Sequence, residues 1–226
     1  MKPKQYTQGW TEFYKLKFHL TPDVLIPRPE TELLVDESIK LKPKTVIDLG
    51  TGSGNITISI AKNLKDIKIF ATDISEKALK VAEKNAKYHK VLNKIIFLKS
   101  DLLETFLGSS TLYVSPEYHN NVDVLVTNLP YIPSYRLPNL DHSVIEFEPK
   151  IALDGGSDGF DLYRKLFAQM WEKKFFPKHL IGEIDYTQGE TAVYEAQKLF
   201  PKAKVEVKTD LAHKQRVLIV EFPKTN

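Results

Sequence analysis

The chain has 226 residues, which fits one α/β domain with a short extension and leaves little room for two full domains. A hydrophobic fraction of 42% supports a packed core, while 32 basic and 29 acidic residues give a net charge of +3, which neither requires nor excludes a nucleic-acid partner. The absence of cysteine excludes disulfides, cysteine-ligated metals and a thiol nucleophile.

Apolar runs of strand length alternate along the chain with longer segments of helical pattern. The predicted strands are Thr45–Leu49, Lys68–Thr72, Lys94–Lys99, Val122–Thr127, His179–Ile184, Ala203–Lys208 and Arg216–Phe222. The predicted helices are Ile56–Leu64, Glu76–His89 with Ser75 as N-cap, Ser157–Phe175 and Glu190–Leu199. This alternation indicates an α/β fold with a mostly parallel seven-stranded sheet that ends in a C-terminal antiparallel hairpin. Gly108–Asn121 and Ser134–Asp158 are expected to be irregular.

A glycine-rich turn follows the first predicted strand and leads into a helix. Its glycines allow the backbone to approach a ligand closely, and the helix N-terminus offers free N–H groups to a carboxylate. Dinucleotide folds use similar turns, but their spacing is Gly-x-Gly-x-x-Gly, whereas this one is Gly-x-Gly-x-Gly. We expect Asp48 to meet the ammonium of a methionine moiety and Asp73, after the second strand, to bind both ribose hydroxyls. The predicted cofactor is S-adenosyl-L-methionine, contacted by Asp48, Gly50, Thr51, Gly52, Ser53, Gly54 and Asp73.

Asp101 and Leu102 end the third predicted strand, at the edge where an adenine ring would lie. We expect Leu102 to cover one face of that ring. A solvated aspartate beside a core leucine remains an open alternative for this pair.

The tetrad Asn128-Leu129-Pro130-Tyr131 follows the fourth predicted strand. An amide nitrogen is a poor nucleophile because its lone pair is delocalised, so an enzyme must hold the NH2 group through acceptors. The Asn128 side-chain oxygen and the Leu129 carbonyl are the predicted acceptors, Pro130 restricts the backbone and Tyr131 supplies a ring for packing. The tetrad predicts methyl transfer to an amino or amide nitrogen by positioning, without a metal or covalent intermediate. A simple turn at a strand end is the alternative.

Together, the glycine loop and the tetrad are similar to those of Rossmann-like class I N-methyltransferases that depend on S-adenosylmethionine. Three further segments resemble the HemK/PrmC family of release-factor glutamine methyltransferases, and they are Leu25–Glu32, Phe147–Gly159, and Gln188-Gly189 with Arg216. The resemblance implies N5-methylation of the glutamine in the Gly-Gly-Gln motif of a peptide chain release factor. It also implies that Asn128 contacts both ligands, that Asn128, Leu129, Pro130 and Tyr131 bind the glutamine, and that Arg28 and Glu32 shape the pocket.

The chain departs from the family pattern at three places. Leu129 replaces the usual first proline of the tetrad, Gly108–Asn121 lengthens the approach to the fourth strand, and most of the family's helical N-terminal domain is expected to be missing. We therefore expect a short leader and helix over residues 1–40 and a methyltransferase catalytic domain over residues 41–226.

The sequence leaves other functions open. The same tetrad suits methylation of the amino group at adenine N6 or guanine N2 in a nucleic acid. A glutamine of a ribosomal protein is another possible acceptor. A third alternative is a non-catalytic binding module. No apolar run approaches the ~20 residues that span a bilayer, and the first residues lack a signal core. We predict a cytoplasmic monomer that binds a release factor, without stable nucleic acid, membrane contact or a metal.

Overall fold

The computed structural model describes residues 1–107 and 121–223, and within these ranges the chain folds around one large sheet. The strands are β1 Trp10–Phe13, β2 Leu16–His19, β3 Thr45–Leu49, β4 Lys68–Asp73, β5 Ile95–Lys99, β6 Val124–Thr127, β7 His179–Glu183, β8 Lys204–Thr209 and β9 Gln215–Glu221. The helices are α1 Lys4–Gln8, α2 Glu32–Lys40, α3 Asn55–Asn63, α4 Glu76–Tyr88, α5 Glu104–Leu107, α6 His142–Phe147, α7 Asp161–Glu172 and α8 Gly189–Leu199.

The large sheet has seven strands in the order β5-β4-β3-β6-β7-β9-β8. The five strands from β5 to β7 run parallel, and β9 pairs antiparallel with both β7 and β8. The predicted mostly parallel sheet with its C-terminal antiparallel hairpin is therefore confirmed. β1 and β2 form a separate antiparallel hairpin.

Alternation along the central strands divides their side chains between two hydrophobic cores, because successive residues of a strand point to opposite faces. On β3, Ile47 and Leu49 join the core covered by α7 and α8, whereas Val46 joins the core covered by α2 and α3. Leu125 and Val126 of β6 divide in the same way. Burial on both faces explains why these strands appear in the sequence as nearly continuous apolar runs.

The order of the strands reverses between β3 and β6, in the middle of the sheet. From β3 the chain proceeds outward through β4 and β5, then returns to β6 on the other side of β3. Leu49 pairs with Thr127, so Gly50 and Asn128 leave neighbouring strands at the same edge. Such a reversal opens a crevice beyond the carboxyl ends of the strands, where ligands bind in open α/β sheets.

The N-terminal hairpin is a feature that sequence patterning missed. Phe13 and Phe18 are buried with their ring centroids 6.1 Å apart, in the core that also contains Leu34 and Val35 of α2. Asn85 of α4 joins the hairpin to the glycine loop, since its amide binds both backbone groups of His19 and the Ser53 carbonyl. Residues 10–19 thus pack against the same helices that support the glycine-rich turn.

The longest predicted helix, Ser157–Phe175, is shorter in the structure. Gly159 has a φ of +83°, Lys174 has a φ of +53°, and the helix occupies only Asp161–Glu172 between them. The irregular stretch Ser134–Asp158 contains α6 and two 3₁₀ turns, Ser134–Asn139 and Lys150–Ala152, while the predicted insertion Gly108–Asn121 lies outside the described residues except for Asn121. No helix in the described ranges combines the length and apolar character needed to cross a membrane.

Candidate active site

A cleft of about 1070 Å³, including its open mouth, lies at the carboxyl edge of the sheet where the strand order reverses. Most of the predicted site residues share its wall, and they are Arg28, Gly50, Thr51, Gly52, Ser53, Asp73, Asp101, Leu102, Asn128, Leu129 and Pro130. Four others are not on the wall that the described residues form, and they are Glu32, Asp48, Gly54 and Tyr131. The structure thus gathers the glycine loop and the tetrad in one cavity.

The three glycines of the loop all adopt left-handed backbone conformations, with φ of +70° at Gly50, +56° at Gly52 and +81° at Gly54. A Cβ at Gly54 would lie 2.9 Å from Ile58 Cδ1 and 3.2 Å from Ala82 Cβ. Gly54 therefore lets α3 pack closely against α4, whereas Gly50 and Gly52 keep the cavity wall free of side chains.

Asp73 holds the glycine loop from the end of β4. Its Oδ2 accepts a hydrogen bond from the Gly52 N–H at 2.9 Å, and its Oδ1 accepts one from the Ser75 N–H at 2.9 Å. Burial raises the pKa of the Asp73 carboxyl above its usual value. Each carboxylate oxygen has capacity for a second donor, so the group on the cavity wall suits a diol such as a ribose.

Asp48 is fully buried behind the loop. Its Oδ2 accepts hydrogen bonds from the hydroxyls of Thr51 at 2.8 Å and Thr57 at 2.5 Å, whereas its Oδ1 has no partner among the described residues. An unpartnered buried carboxylate oxygen suits a cationic donor, which fits the ammonium of S-adenosylmethionine. Because the carboxylate does not line the cavity, the contact expected of Asp48 stays a prediction, and its observed contacts position Thr51.

The Asp48 carboxyl should impose a distinctive pH dependence on stability. Burial raises its pKa from 3.8 to about 6, so between these values the folded chain binds more protons than the unfolded chain. The free energy of unfolding should therefore fall as pH rises from about 4 to 6, by up to about 3 kcal/mol relative to Asp48→Asn, and the difference should be constant above that window. Urea unfolding of both proteins from pH 4 to 8 measures this difference, and parallel profiles would exclude the titration.

Asp101 and Leu102 line the cleft beside Asp73. Asp101 Oδ2 accepts a hydrogen bond from Lys165 Nζ at 2.5 Å, so this carboxylate forms an ion pair with a side chain of α7. Leu102 is buried with a φ of +51°, an uncommon conformation for a residue with a side chain. Leu102 lines the cavity. This is the residue that was predicted to give an apolar surface for a flat ring.

The tetrad leaves two hydrogen-bond acceptors available at the other side of the cleft. Asn128 Nδ2 donates to Thr31 Oγ1 at 3.1 Å, and neither Asn128 Oδ1 nor the Leu129 carbonyl has a partner among the described residues. The Leu129 side chain is buried in the core near Gly50, which anchors the backbone at the position where proline was expected. These two acceptors belong to residues that line the cavity.

Tyr131 does not line the cavity that the described residues form and is anchored by hydrogen bonds to Glu183 and Gln188. Its hydroxyl donates to Glu183 Oε1 at 3.1 Å, and its carbonyl accepts from Gln188 Nε2 at 3.0 Å. Burial, followed by the Glu183 charge, raises the pKa of Tyr131, so its hydroxyl stays a donor. Packing of this ring against an acceptor group stays a prediction, and the observed contacts hold the end of the tetrad in place.

Two glycines of the segment Phe147–Gly159 allow it to pack directly on the tetrad backbone. A Cβ at Gly155 would lie 2.7 Å from the Pro130 carbonyl oxygen, and one at Gly159 would lie 2.2 Å from the Tyr131 carbonyl oxygen. Neither contact could form with a larger residue without movement of the backbone. The resemblance singled out this segment, and the structure places it as the outer support of the tetrad.

Substituting Gly155→Ala should displace the tetrad. We expect a loss of stability of about 1–3 kcal/mol from overpacking and a decrease in kcat of about tenfold from the shifted acceptors. Steady-state kinetics with thermal unfolding measures both. Gly9→Ala is the matched control, because Gly9 has a φ of +75° but open space around it, far along the chain from the tetrad. It should lose stability without losing kcat, and a Gly155→Ala protein with full kcat would refute the expectation.

Arg28 and Glu32 have different positions although both were predicted to shape the pocket. Arg28 lines the cavity and forms an ion pair with buried Glu148, whose other carboxylate oxygen accepts from the Ile26 N–H at 3.3 Å. Glu32 accepts a hydrogen bond from the Tyr14 N–H at 2.7 Å and so joins α2 to the N-terminal hairpin. Binding of substrate by Glu32 stays a prediction, since its observed contact is away from the cavity wall.

Sequence reasoning assigned no role to three residues that support the tetrad, namely Thr31, Glu183 and Gln188. Thr31 and Gln188 lie within segments that carry the family resemblance, and this resemblance is the sequence signal that points to them. Glu183 is the next-to-last residue of the predicted strand His179–Ile184, and a buried glutamate in a strand is itself an unusual placement.

The fold is shared with known methyltransferases. The family model for ribosomal protein L11 methyltransferase (PrmA) matches residues 31–132. The N-terminal domain of human METTL16, solved in complex with SAH, superposes with a TM-score of 0.59 at 15% identity, covering 93% of this chain and 77% of that one. At this identity the likeness shows the fold alone, a class I methyltransferase fold.

Two curated relatives are both named release factor glutamine methyltransferase. The protein from Bacillus cereus is 35% identical over 97% of this chain and 76% of its own length. The protein from Dictyoglomus turgidum is 44% identical over 74% of this chain, and the match spans 57% of that relative's length. With identity of this level across nearly the whole sequence, the chain belongs to the release factor glutamine methyltransferase family.

Proposed function

We propose that this chain transfers a methyl group from S-adenosylmethionine to the side-chain amide nitrogen of the glutamine in the Gly-Gly-Gln motif of a peptide chain release factor. Membership of the family supports the reaction class and the kind of acceptor. The observation that carries the proposal is the pair of available acceptors, Asn128 Oδ1 and the Leu129 carbonyl, on residues that line the same cleft as the glycine loop.

The glycine loop side of the cleft suits the cofactor. Gly50 and Gly52 offer bare backbone, and Asp73 offers carboxylate oxygens to the ribose hydroxyls. The unpartnered Oδ1 of Asp48 suits the ammonium, and buried Leu102 suits the adenine face. When bound, S-adenosylmethionine supplies an electrophilic methyl group on a sulfonium.

The tetrad side suits a primary amide. Two acceptors, Asn128 Oδ1 and the Leu129 carbonyl, match the two protons of an NH2 group, so both can be engaged while the nitrogen lone pair faces the loop. Holding the amide in this way favours a pyramidal nitrogen aimed along the line of displacement, and the contribution is one of orientation. Pro130 and the glycines packed behind it keep the carbonyl of residue 129 at a fixed position.

We propose that residues 41–226 form the catalytic domain and residues 1–40 a leader and helix that support it. The reaction takes place in the cytoplasm, where translation terminates, and the enzyme acts as a monomer without stable nucleic acid. Contacts of the N-terminal hairpin with α2 and α4 support a structural role for the leader.

Label transfer from tritiated S-adenosylmethionine tests the proposal. A purified bacterial release factor is offered beside its Gly-Gly-Gln→Gly-Gly-Ala variant, and cofactor binding is confirmed by calorimetry. We expect label on the wild-type factor only. Cofactor binding without label on either protein would refute the proposed acceptor, and ribosomal proteins, tRNA and rRNA would then be offered.

A further inference from the structure

A buried carboxylate lies directly beside the tetrad and has no part in the chemistry described above. Glu183 ends β7, which pairs in parallel with β6 so that Thr127 lies opposite Gly182, and Asn128 and Glu183 leave the two strands together. Glu183 is only 1% exposed. Its Oε2 accepts a hydrogen bond from the Thr31 hydroxyl at 2.6 Å, and its Oε1 accepts one from Tyr131.

The single proton of the Thr31 hydroxyl decides how the Asn128 amide is oriented. A threonine hydroxyl has one donor, and here that donor is used by the Glu183 carboxylate. Toward Asn128, at 3.1 Å, the Thr31 oxygen can then only accept, so the partner must be the Asn128 NH2 group. With its NH2 facing Thr31, the Asn128 amide directs Oδ1 away from this hydrogen bond.

Orientation matters because the two ends of an asparagine amide have nearly the same shape and opposite hydrogen-bonding character. With Oδ1 toward the acceptor site, Asn128 receives a proton of the substrate NH2 group. With the amide rotated by half a turn, its own NH2 would face the substrate NH2, and two donors would oppose each other. Neither packing nor shape distinguishes these states, so a hydrogen-bond partner must do so.

We propose that Glu183 and Thr31 are positioning residues that form a two-bond chain, carboxylate to hydroxyl to amide, which fixes Asn128 with Oδ1 directed at the acceptor nitrogen. The inference deepens the proposed function and rests on it for its kinetic consequence. The same carboxylate also holds the Tyr131 hydroxyl, so one buried group orients both ends of the tetrad. Glu183 is not on the cavity wall that the described residues form, whereas Thr31 lines the cavity, and the effect we assign to both residues on methyl transfer passes through Asn128.

Substitutions of Thr31 test the two hydrogen bonds between Glu183, Thr31 and Asn128 while changing the volume of the side chain little. Thr31→Val removes the acceptor and should lower kcat about ten- to a hundredfold, with the KM for S-adenosylmethionine within about twofold. Thr31→Ser keeps the hydroxyl and should retain kcat within about threefold. Glu183→Gln offers both a donor and an acceptor to Thr31, so both hydrogen bonds can reverse direction and the Asn128 amide can rotate. We expect this variant to lower kcat at least about fivefold. The exposed residues of β8 supply matched controls, Thr209→Val and Glu206→Gln, which should match the wild type.

A measurement independent of turnover reports the orientation itself. The side-chain amide resonance of Asn128, assigned from the spectrum of Asn128→Ala, should show one proton shifted and slowed in exchange in the wild type and in Thr31→Ser. The shift should be lost in Thr31→Val. Full kcat in folded Thr31→Val, or an unchanged Asn128 resonance in that variant, would overturn the inference. Failure of the wild type to methylate the factor would instead count against the proposed function, and the resonance would still decide the inference.

Discussion

Replacing Asn128 with alanine should reduce methyl transfer at saturating substrates by about a hundred- to a thousandfold. The variant loses the side-chain oxygen that is available at the cleft, while the Leu129 carbonyl remains. With only one acceptor, the substrate NH2 group is free to rotate, and its nitrogen is no longer aligned. Single-turnover kinetics with the release factor measures the effect, and calorimetry should find cofactor affinity within about threefold of the wild type, because the loop and Asp73 are unchanged.

Asn93→Ala is the matched control for this experiment, since Asn93 is exposed on a 3₁₀ turn before β5. It should keep full activity and the wild-type melting temperature. Full activity of a folded Asn128→Ala protein would rule out the role assigned to the tetrad. Equal losses of activity in Asn128→Ala and Asn93→Ala would show that the decrease comes from how the variant proteins were prepared and not from the loss of the Asn128 side chain.

Replacing Asp73 with asparagine should weaken cofactor binding by about ten- to a hundredfold. The carboxylate accepts backbone hydrogen bonds from Gly52 and Ser75, one on each oxygen, and asparagine keeps only one acceptor oxygen. An NH2 group would also face a backbone N–H, which should distort the loop and remove the predicted ribose contacts. Isothermal titration with S-adenosylmethionine measures the dissociation constant.

The control for this variant is Asp66→Asn, an exposed aspartate before β4, which should bind the cofactor as the wild type does. Kinetics at saturating cofactor separate binding from chemistry. We expect Asp73→Asn to recover most of its kcat there, because the tetrad is intact. Cofactor affinity equal to that of the wild type would refute the placement of the cofactor along the loop.

Much of the fold could be predicted from the sequence because local patterns and global packing agree in the middle of the sheet. β3 occupies Thr45–Leu49 as predicted, and the Ser75 hydroxyl caps α4 by accepting from the Ala78 N–H. Strands buried on both faces are rich in β-branched residues, and the turns after them carry glycine or a polar residue. The same pattern indicated which strand ends would meet at the cleft.

The N-terminal hairpin escaped prediction because its signals are weak. Each strand has only four residues with mixed polarity, and the turn between them uses positive φ at Tyr14 and Lys15 without glycine or asparagine. Its stability comes from burying Phe13 and Phe18 against distant helices. A strand of four residues that is stabilised by packing against distant helices is too short to show a clear alternation of apolar and polar residues.

The support of the tetrad could not be predicted because its parts are far apart in the chain. Thr31 and Glu183 are 152 positions apart, and no local spacing indicates their hydrogen bond. Asp48 shows the opposite case, since its strand-end position was correct but its carboxylate binds Thr51 and Thr57 behind the cavity wall. Sequence patterning located the residues at the cleft, and only the fold shows which way each side chain points.

The most direct measurement is mass-spectrometric mapping of a release factor incubated with S-adenosylmethionine and either the wild-type chain or Asn128→Ala. We expect one added methyl group on the side-chain nitrogen of the glutamine in the Gly-Gly-Gln motif with the wild type, and at most about a hundredth of that modification with the variant after the same time. A methyl group at another residue of the factor, or equal modification by both proteins, would contradict the proposed reaction.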